Sequence, residues 1–558
     1  MYEFVKEPLL YEGAVSQVYG IPMYEQVDLQ QQLNDAYARG DKTFKIPRGA
    51  YRLTPKDGVG HLHLDGLTDF TVEGEEVVLL CQDLGVNGIA LTDCTNVRVS
   101  GITVDFEPCG YTQGVVTALT PDYLDIFVEE GYLADLDDYQ GPYLCPCDFF
   151  EQETGALYTN LRSYSSIPDG SVEDLGNRTF RLHIPTPLSM RERVRLGDFF
   201  VITRRPMMRS GFLSVGNTDC YIDHCTVWAG LCGIAESYGK TQTKISHFSV
   251  VPGPAPFGAK HGRVLSTVAD GCHMAANRKG ARIENSRFFA CGDDCLNHYG
   301  YFSRVCEQLS PHSAIFAEMG NCPPEVGDTL RLYAATTEKI GEVRVKTVEH
   351  LPHYQPPQSV DGPTGCNYFT ACGYYKIDFD GTVALSPLDW MTNADRCGNG
   401  FIFRHNYVKN IRPRGCLIKA SDGAVEDNTF ENIGYAGVQI KPEFEWLEAG
   451  YSHNVAVRHN TFIGCGSPST AALVVSGQRA ADQKNIIIEN NTFIHNPCIE
   501  VSLAQIDGCV VRDNVFGIQR DNRDYPIIAK LSGKRLVLEG NTFPEDCVNY
   551  ATTNIKEK

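Results

Sequence analysis

The chain is poor in positive charge: 49 Lys and Arg stand against 69 Asp and Glu in 558 residues, a formal net charge of −20. So acidic a surface repels phosphate backbones and anionic lipid, so nucleic acid is not an expected partner. Long apolar runs are also missing. No stretch reaches the ~18 to 20 uninterrupted apolar residues of a membrane-spanning helix, and the opening MYEFVKEPLL has no basic region followed by an apolar one. No membrane partner is expected. The 21 cysteines form no compact framework and sit singly in strand-like segments (Cys94, Cys220, Cys291, Cys416). They read as small buried residues of a reducing compartment, so the expected location is cytoplasmic, with secretion by a lost or unusual leader left open. The one tight pair, Cys145 and Cys147 in a Pro- and Asp-rich loop, is a C-x-C zinc candidate. Hydrophobic residues at 42% and charged residues at 21% exclude a disordered or fibrous chain.

What the sequence does contain is a repeat. FRHNYV, VEDNTF, VRHNTF, IENNTF, VRDNVF and LEGNTF place Asn406, Asn428, Asn460, Asn491, Asn514 and Asn541 at intervals of 22, 32, 31, 23 and 27 residues. Each phrase follows a segment alternating apolar and polar residues (NVAVRHN, NIIIENN), the period of a half-buried strand, and ends it with a turn residue. Looser copies begin at Leu91, Val215 and Asn277. Such strand-only units cannot bury an apolar face alone, so they stack. The expected fold is all-β, a right-handed parallel β-helix in which each turn asparagine bonds the one a coil above, ~4.8 Å away. A leucine-rich repeat lacks its L-x-x-L-x-L frame here, and a propeller period is too long.

Two stretches break the pattern, and each carries a Gly-Asp turn leading into an alternating strand (LGDFFVI, VGDTLRLY). They are expected as two small β-barrel-like insertions. The expected organisation is therefore a cap and first coils over 1–110, an insertion over 111–203, coils over 204–301, a second insertion over 302–393 and C-terminal coils over 394–558. VDLQQQLNDAYARG is the expected capping helix, shielding the open end of the solenoid.

Asp270 and Asp293 are 23 residues apart, one coil by the intervals above, and Asp294 follows at once. Stacked coils bring the three carboxylates within about 5 to 8 Å. Like charges that close raise at least one pKa, leaving one carboxyl protonated beside ionised neighbours. An acid and a base on adjacent coils is the requirement for cleaving a glycosidic bond.

At these residues, ADGCH and one coil later GDDCLN with IEN between them, the chain resembles glycoside hydrolase family 110 across about residues 20 to 545. The resemblance implies a β-helical exo-acting hydrolase that removes terminal α-1,3-linked galactose, as from blood group B type glycans, with inversion and without a metal or other cofactor. It also implies Asp293 as general acid, with Asp270 and Asp294 holding and deprotonating the water. The acid and base labels remain exchangeable, because coupled carboxylates titrate together.

Around this cluster His273, Asn297 and His298 are candidate hydrogen-bonding partners of sugar hydroxyls. Lys419 and Lys441, with Glu443 and Trp446, are candidates for a polar and aromatic wall, since a sugar stacks one face on a ring while its hydroxyls bond charged groups. Glu236, Arg204 and Arg205 are candidates from an upstream coil. The expected partner is thus an oligosaccharide or glycan, and a homodimer is plausible from the long acidic face. Two rival readings share the scaffold. A polygalacturonase-like hydrolase would need cations for a uronate, for which CLIK and VQIK are the nearest patterns. A non-catalytic β-helical glycan-binding protein would need no proton transfer at all.

Overall fold

A computed structural model describes residues 20–552 apart from 26, 137–145, 160, 162, 163, 165, 205–207, 257, 361–370, 468, 498, 519–524 and 546. The solenoid expected from the repeat is present. A 22-stranded parallel sheet runs its length and a second parallel face accompanies it. One coil shows the plan: strand Ala424–Glu426, a corner at Asn428, strand Thr429–Ile433, then strand Ala436–Ile440 on the second face. The residue before each ladder asparagine turns the corner in the left-handed region, at φ 55° for His405, 57° for Asp427 and 55° for His459, Asn490 and Asp513. Asp, Asn and His tolerate that conformation better than other side chains, which accounts for the recurring pairs HN, DN and NN.

Each asparagine then accepts and donates along the stack. The Asn428 backbone N–H donates to Asn460 Oδ1 at 3.0 Å and that of Asn460 to Asn491 Oδ1 at 2.9 Å, while Asn460 Nδ2 donates to the Val425 carbonyl at 2.9 Å. Inside the corner Phe430, Phe462, Phe493 and Phe516 stack at 5.3, 4.8 and 4.8 Å between ring centres, the coil spacing itself. The lumen is filled by buried aliphatics such as Val425, Val457, Ile488 and Val511. At the N-terminal end helix α1 (Leu29–Ala38), capped by Asp28 accepting from the Gln31 N–H at 3.0 Å, buries Leu29, Leu33 and Ala36 over the first coils.

Both insertions form as antiparallel sheets. The first orders six strands as Cys147–Phe150, Phe199–Thr203, Tyr111–Leu119, Leu124–Val128, Thr179–Leu182 and Val172–Gly176, an open sheet. The second closes fully, because its last strand Trp390–Asn393 pairs back onto the first, Leu296–Ser310. That 15-residue strand starts in the solenoid and ends in the barrel, so the two units share a backbone rather than a linker. The barrel has its own core around Val305, Phe316, Leu330 and Phe379. A further cluster, with Phe302 stacked on Phe444 at 4.1 Å, ties it to the segment that follows strand Ala436–Ile440.

Candidate active site

The second face carries the site. Its strands are β1 (Phe212–Val215), β2 (Ile234–Ser237), β3 (Cys272–Ala275), β4 (Leu296–Ser310), β5 (Arg414–Ile418) and β6 (Ala436–Ile440), each paired in parallel with the next. The register pairs Cys272 with Leu296 and Leu296 with Cys416. One position earlier on the chain, the Gly271 N–H donates to the Asp294 carbonyl at 2.9 Å and the Cys295 N–H to the Arg414 carbonyl at 2.9 Å. Asp270, Asp294 and Arg414 therefore follow one another on successive coils, and Asp293 flanks the column. The glycines permit this approach. A Cβ on Gly271 would lie 2.6 Å from the Cys295 carbonyl oxygen, and one on Gly292 would lie 2.7 Å from that of Val268.

Oxygens of Asp270, Asp293 and Asp294 lie within 4.8 Å of one another, at the tight edge of the expected spacing. Their surroundings differ. Asp294 has a side chain 2% exposed and accepts from Arg414 Nε at 2.8 Å; Asp270, 8% exposed, is bonded to His273 Nδ1 at 2.5 Å; Asp293, 23% exposed, has Arg412 Nη2 at 3.6 Å. Burial raises the carboxyls of both Asp270 and Asp294 above the usual carboxylate range, and neighbouring carboxylates add to it. Arg414 and His273 oppose that rise. His273 itself is pulled down by burial, but its bond to Asp270 wins and its pKa is raised.

The outward side chains next along the strands form a second layer. His273 Nε2 meets the Tyr299 hydroxyl at 2.7 Å. Lys419 Nζ, fully buried, donates to Asn297 Oδ1 at 3.0 Å and Glu448 Oε2 at 2.6 Å, and Asn297 Nδ2 donates to both Glu448 oxygens at 3.1 Å. Glu443 accepts from Arg414 Nη1 at 2.6 Å. Burial pushes the Glu448 carboxyl up, but the adjacent Lys419 outweighs it and holds the group below its ordinary value. Counting the ion-paired groups, five carboxylates (Asp270, Asp293, Asp294, Glu443, Glu448) share Arg412, Arg414, Lys419 and His273. Even with His273 charged, one negative charge is left over, which favours retention of one proton among the carboxyls.

The structure thus gathers Asp270, Asp293, Asp294, His273, Asn297, Lys419 and Glu443 into one place. It moves two candidates elsewhere. Glu236 and His298 share the inward parity of Met274, to which each is register-paired, and point into the lumen at 1% and 0% exposure. Walled off by the sheet, neither reaches a sugar on the outer face. Burial accordingly raises Glu236 to about 7 and lowers His298 to about 3. Trp446 is 48% exposed on the short turn Phe444–Trp446, and the partly buried Lys441 lies 3.9 Å from Glu445. Arg204, partly buried, follows strand Phe199–Thr203 of the first insertion. Arg205 and Cys145 lie outside the described residues, and Cys147 is buried in an insertion strand.

Arg412, Arg414, Glu448 and Tyr299 were not legible as site residues. Arg414 is one coil below Asp294 yet 120 residues later on the chain, because the barrel intervenes. The available signal was RPRG directly before CLIK. As for metals, the aspartate oxygens are close enough to share an ion, but Arg414 and His273 already occupy one oxygen each of Asp294 and Asp270.

These features define a class: a parallel β-helix protein with a stacked carboxylate cluster of the kind that cleaves glycosidic bonds. Comparison with known proteins agrees. Residues 389–543 match the family model described as the right handed beta helix region. The chain is 23% identical to Alpha-1,3-galactosidase A of Bacteroides thetaiotaomicron over 471 residues, covering 82% of this chain and 78% of that protein. It is 22% identical to Alpha-1,3-galactosidase A of Bacteroides fragilis over 624 residues, covering 100% of this chain and 94% of that one. Alpha-1,3-galactosidase B of Akkermansia muciniphila is 23% identical over 500 residues, with 82% of this chain and 59% of that protein covered. The resemblance read from ADGCH and GDDCLN to a family of α-1,3-galactosidases is matched by relatives bearing that name.

Proposed function

We propose that the protein is an exo-acting glycoside hydrolase that removes terminal α-1,3-linked galactose from glycans, with inversion at the anomeric carbon. The observation that carries this reading is the column of Asp270 and Asp294 flanked by Asp293, in a chain similar along its whole length to proteins named α-1,3-galactosidases. Asp293, the most exposed of the three, is the proton donor. It protonates the glycosidic oxygen as the bond from that oxygen to C1 breaks. Asp270 and Asp294 hold one water between them, a geometry that oxygens up to 4.8 Å apart allow, since two hydrogen bonds of about 2.8 Å span it. The water oxygen attacks C1 and its proton passes to that pair, leaving galactose with the opposite anomeric configuration. The oxygens of all three aspartates are nearer than the roughly 6.5 to 9.5 Å usual between the carboxyl groups of inverting enzymes, so inversion rests on the family resemblance and is read from the anomer released first. His273, Asn297, Lys419 and Glu448 supply donors and acceptors for the galactose hydroxyls.

The charge balance favours a neutral sugar over a uronate. Arg414 is taken up by Asp294 and Glu443, and Lys419 by Glu448, so neither of these two cations is left for a substrate carboxylate. Incubation with α-1,3-linked galactobiose should release galactose whose first-formed anomer is β, followed by proton NMR, while polygalacturonate stays intact. Asp293→Asn should lower the turnover rate at least 10³-fold, within the range of losing a general acid. Hydrolysis of polygalacturonate alone, or full activity in Asp293→Asn, would overturn the assignment.

A further inference from the structure

A cleft of about 190 Å³ opens beside Arg412, whose Nη2 lies 3.6 Å from Asp293, and the mechanism leaves it unused. One wall is the first insertion, with Tyr158, Thr159 and Leu161; the other is the edge of the solenoid, with Arg412, Pro413 and Tyr435. The chain places it there deliberately in register. The Asp293 N–H donates to the Ala269 carbonyl and the Tyr435 N–H to the Pro413 carbonyl, and Pro413 immediately precedes Arg414, the coil neighbour of Asp294. Asp293, Pro413 and Tyr435 therefore descend one column, which puts Tyr435 about 10 Å from Asp293 along the stack, two coil spacings.

The wall is fixed, not draped. Asn432 Nδ2 donates to the Leu157 carbonyl at 3.0 Å, Thr159 Oγ1 donates to Asn432 Oδ1 at 3.2 Å, and the Tyr158 hydroxyl donates to Asp198 at 2.9 Å. Close packing at its floor requires glycine: a Cβ on Gly434 would lie 2.1 Å from the Arg412 carbonyl oxygen and 3.5 Å from Thr159. Within this rigid frame Tyr435 is 43% exposed, an aromatic side chain open to solvent beside a polar rim. Arg412 bridges the two regions, with Nη2 at 3.6 Å from Asp293 and Nε at 3.8 Å from Asp148 of the insertion.

On the opposite side of the aspartates, Glu448 closes the face over Asn297 and Lys419. The terminal sugar therefore lies toward Glu448, and the departing oxygen faces Asp293 and the cleft. We propose that this cleft is the leaving-group subsite, which takes one neutral pyranose with a ring face stacked on Tyr435 and hydroxyls toward Arg412 and Thr159. This rests on the hydrolase reading above, and names the second half of its substrate: a sugar ring, not a lipid or peptide, next to the scissile bond. Stacking on an aromatic ring suits the C–H face of a pyranose, and the volume suits a single ring.

The test compares α-1,3-galactobiose with α-galactosyl fluoride, whose leaving group has no ring to seat. In Tyr435→Ala, kcat/KM should fall at least 10-fold further for the disaccharide than for the fluoride, and Tyr435→Trp should restore most of the disaccharide rate. A melting curve matching the unaltered protein accompanies each variant. Equal losses on the two substrates, or no loss on the disaccharide, would overturn the subsite while leaving the hydrolase standing. If the unaltered protein releases galactose from neither substrate, the hydrolase reading fails and the subsite fails with it.

Discussion

Glu236 shows how much a single residue's parity decides. Its neighbourhood in sequence suggested a groove ligand, but alternation along β2 turns it into the lumen, where one carboxylate oxygen, Oε1, finds no hydrogen-bond partner among the described residues. Burial without a cation raises its carboxyl from about 4.5 to about 7. Between those values the folded protein holds a proton that the unfolded chain has released, so stability is lost as pH rises through that window and levels off above it. A shift of this size corresponds to about 3 kcal/mol. Glu236→Gln, neutral at every pH, is therefore expected to equal the unaltered protein near pH 4.5 and to exceed it by about 3 kcal/mol near pH 8 in urea unfolding. Unfolding midpoints whose difference stays constant from pH 4.5 to 8 would contradict that origin. Galactose release, read in the same samples, should change little, because the side chain is on the other side of the sheet from the aspartates.

At the scale of the element, the asparagine ladder is what made the fold readable, since its phrase recurs with the residue that its corner demands. A second pattern was present in the same phrases. Residues two before Ser286 and each ladder asparagine run Glu284, Arg404, Glu426, Arg458, Glu489, Arg512 and Glu539, alternating in sign, and pair across coils, as Arg458 does with Glu426 and Arg512 with Glu489. A one-coil slip would set like charges together, so the alternation helps to fix register at modest energetic gain. The ladder carries more. Replacing Asn460 with Ala removes the acceptor of the buried Asn428 N–H and the donor to the Val425 carbonyl, at a cost of about 2 to 4 kcal/mol for stranded buried groups. Asn541, near the solenoid end and partly buried, should cost about half as much, and chemical denaturation of the two variants measures the difference. The aspartate cluster was legible for the same reason, because Asp270 belongs to one coil and Asp293 and Asp294 to the next. Arg414 and Glu448 were not, because an inserted barrel lengthens the chain between spatial neighbours without moving the coils apart.

For the whole molecule, the two insertions turn an open sheet face into a pocket. A bare β-helix offers a groove that a long polymer crosses from side to side. Here strand β4 leaves the solenoid for the barrel, and Glu448–Ala449 pairs antiparallel with its Gly300 and Tyr301, laying backbone across the outward face just past Asn297. Phe444 stacked on Phe302 locks that crossing to the barrel core. The first insertion stands on the other side, held to the solenoid through Asn432 and Thr159. A chain end fits between these walls, whereas an internal segment would have to pass through the Glu448 backbone. Oligosaccharides with repeated α-1,3-linked galactose should therefore yield monosaccharide as the sole small product from the first minutes, with the residual chains shortening by one unit at a time. Mass spectrometry of early digests measures this directly. Disaccharides or larger fragments ahead of galactose would mean that the Glu448 segment opens in solution, and that the pocket is a groove.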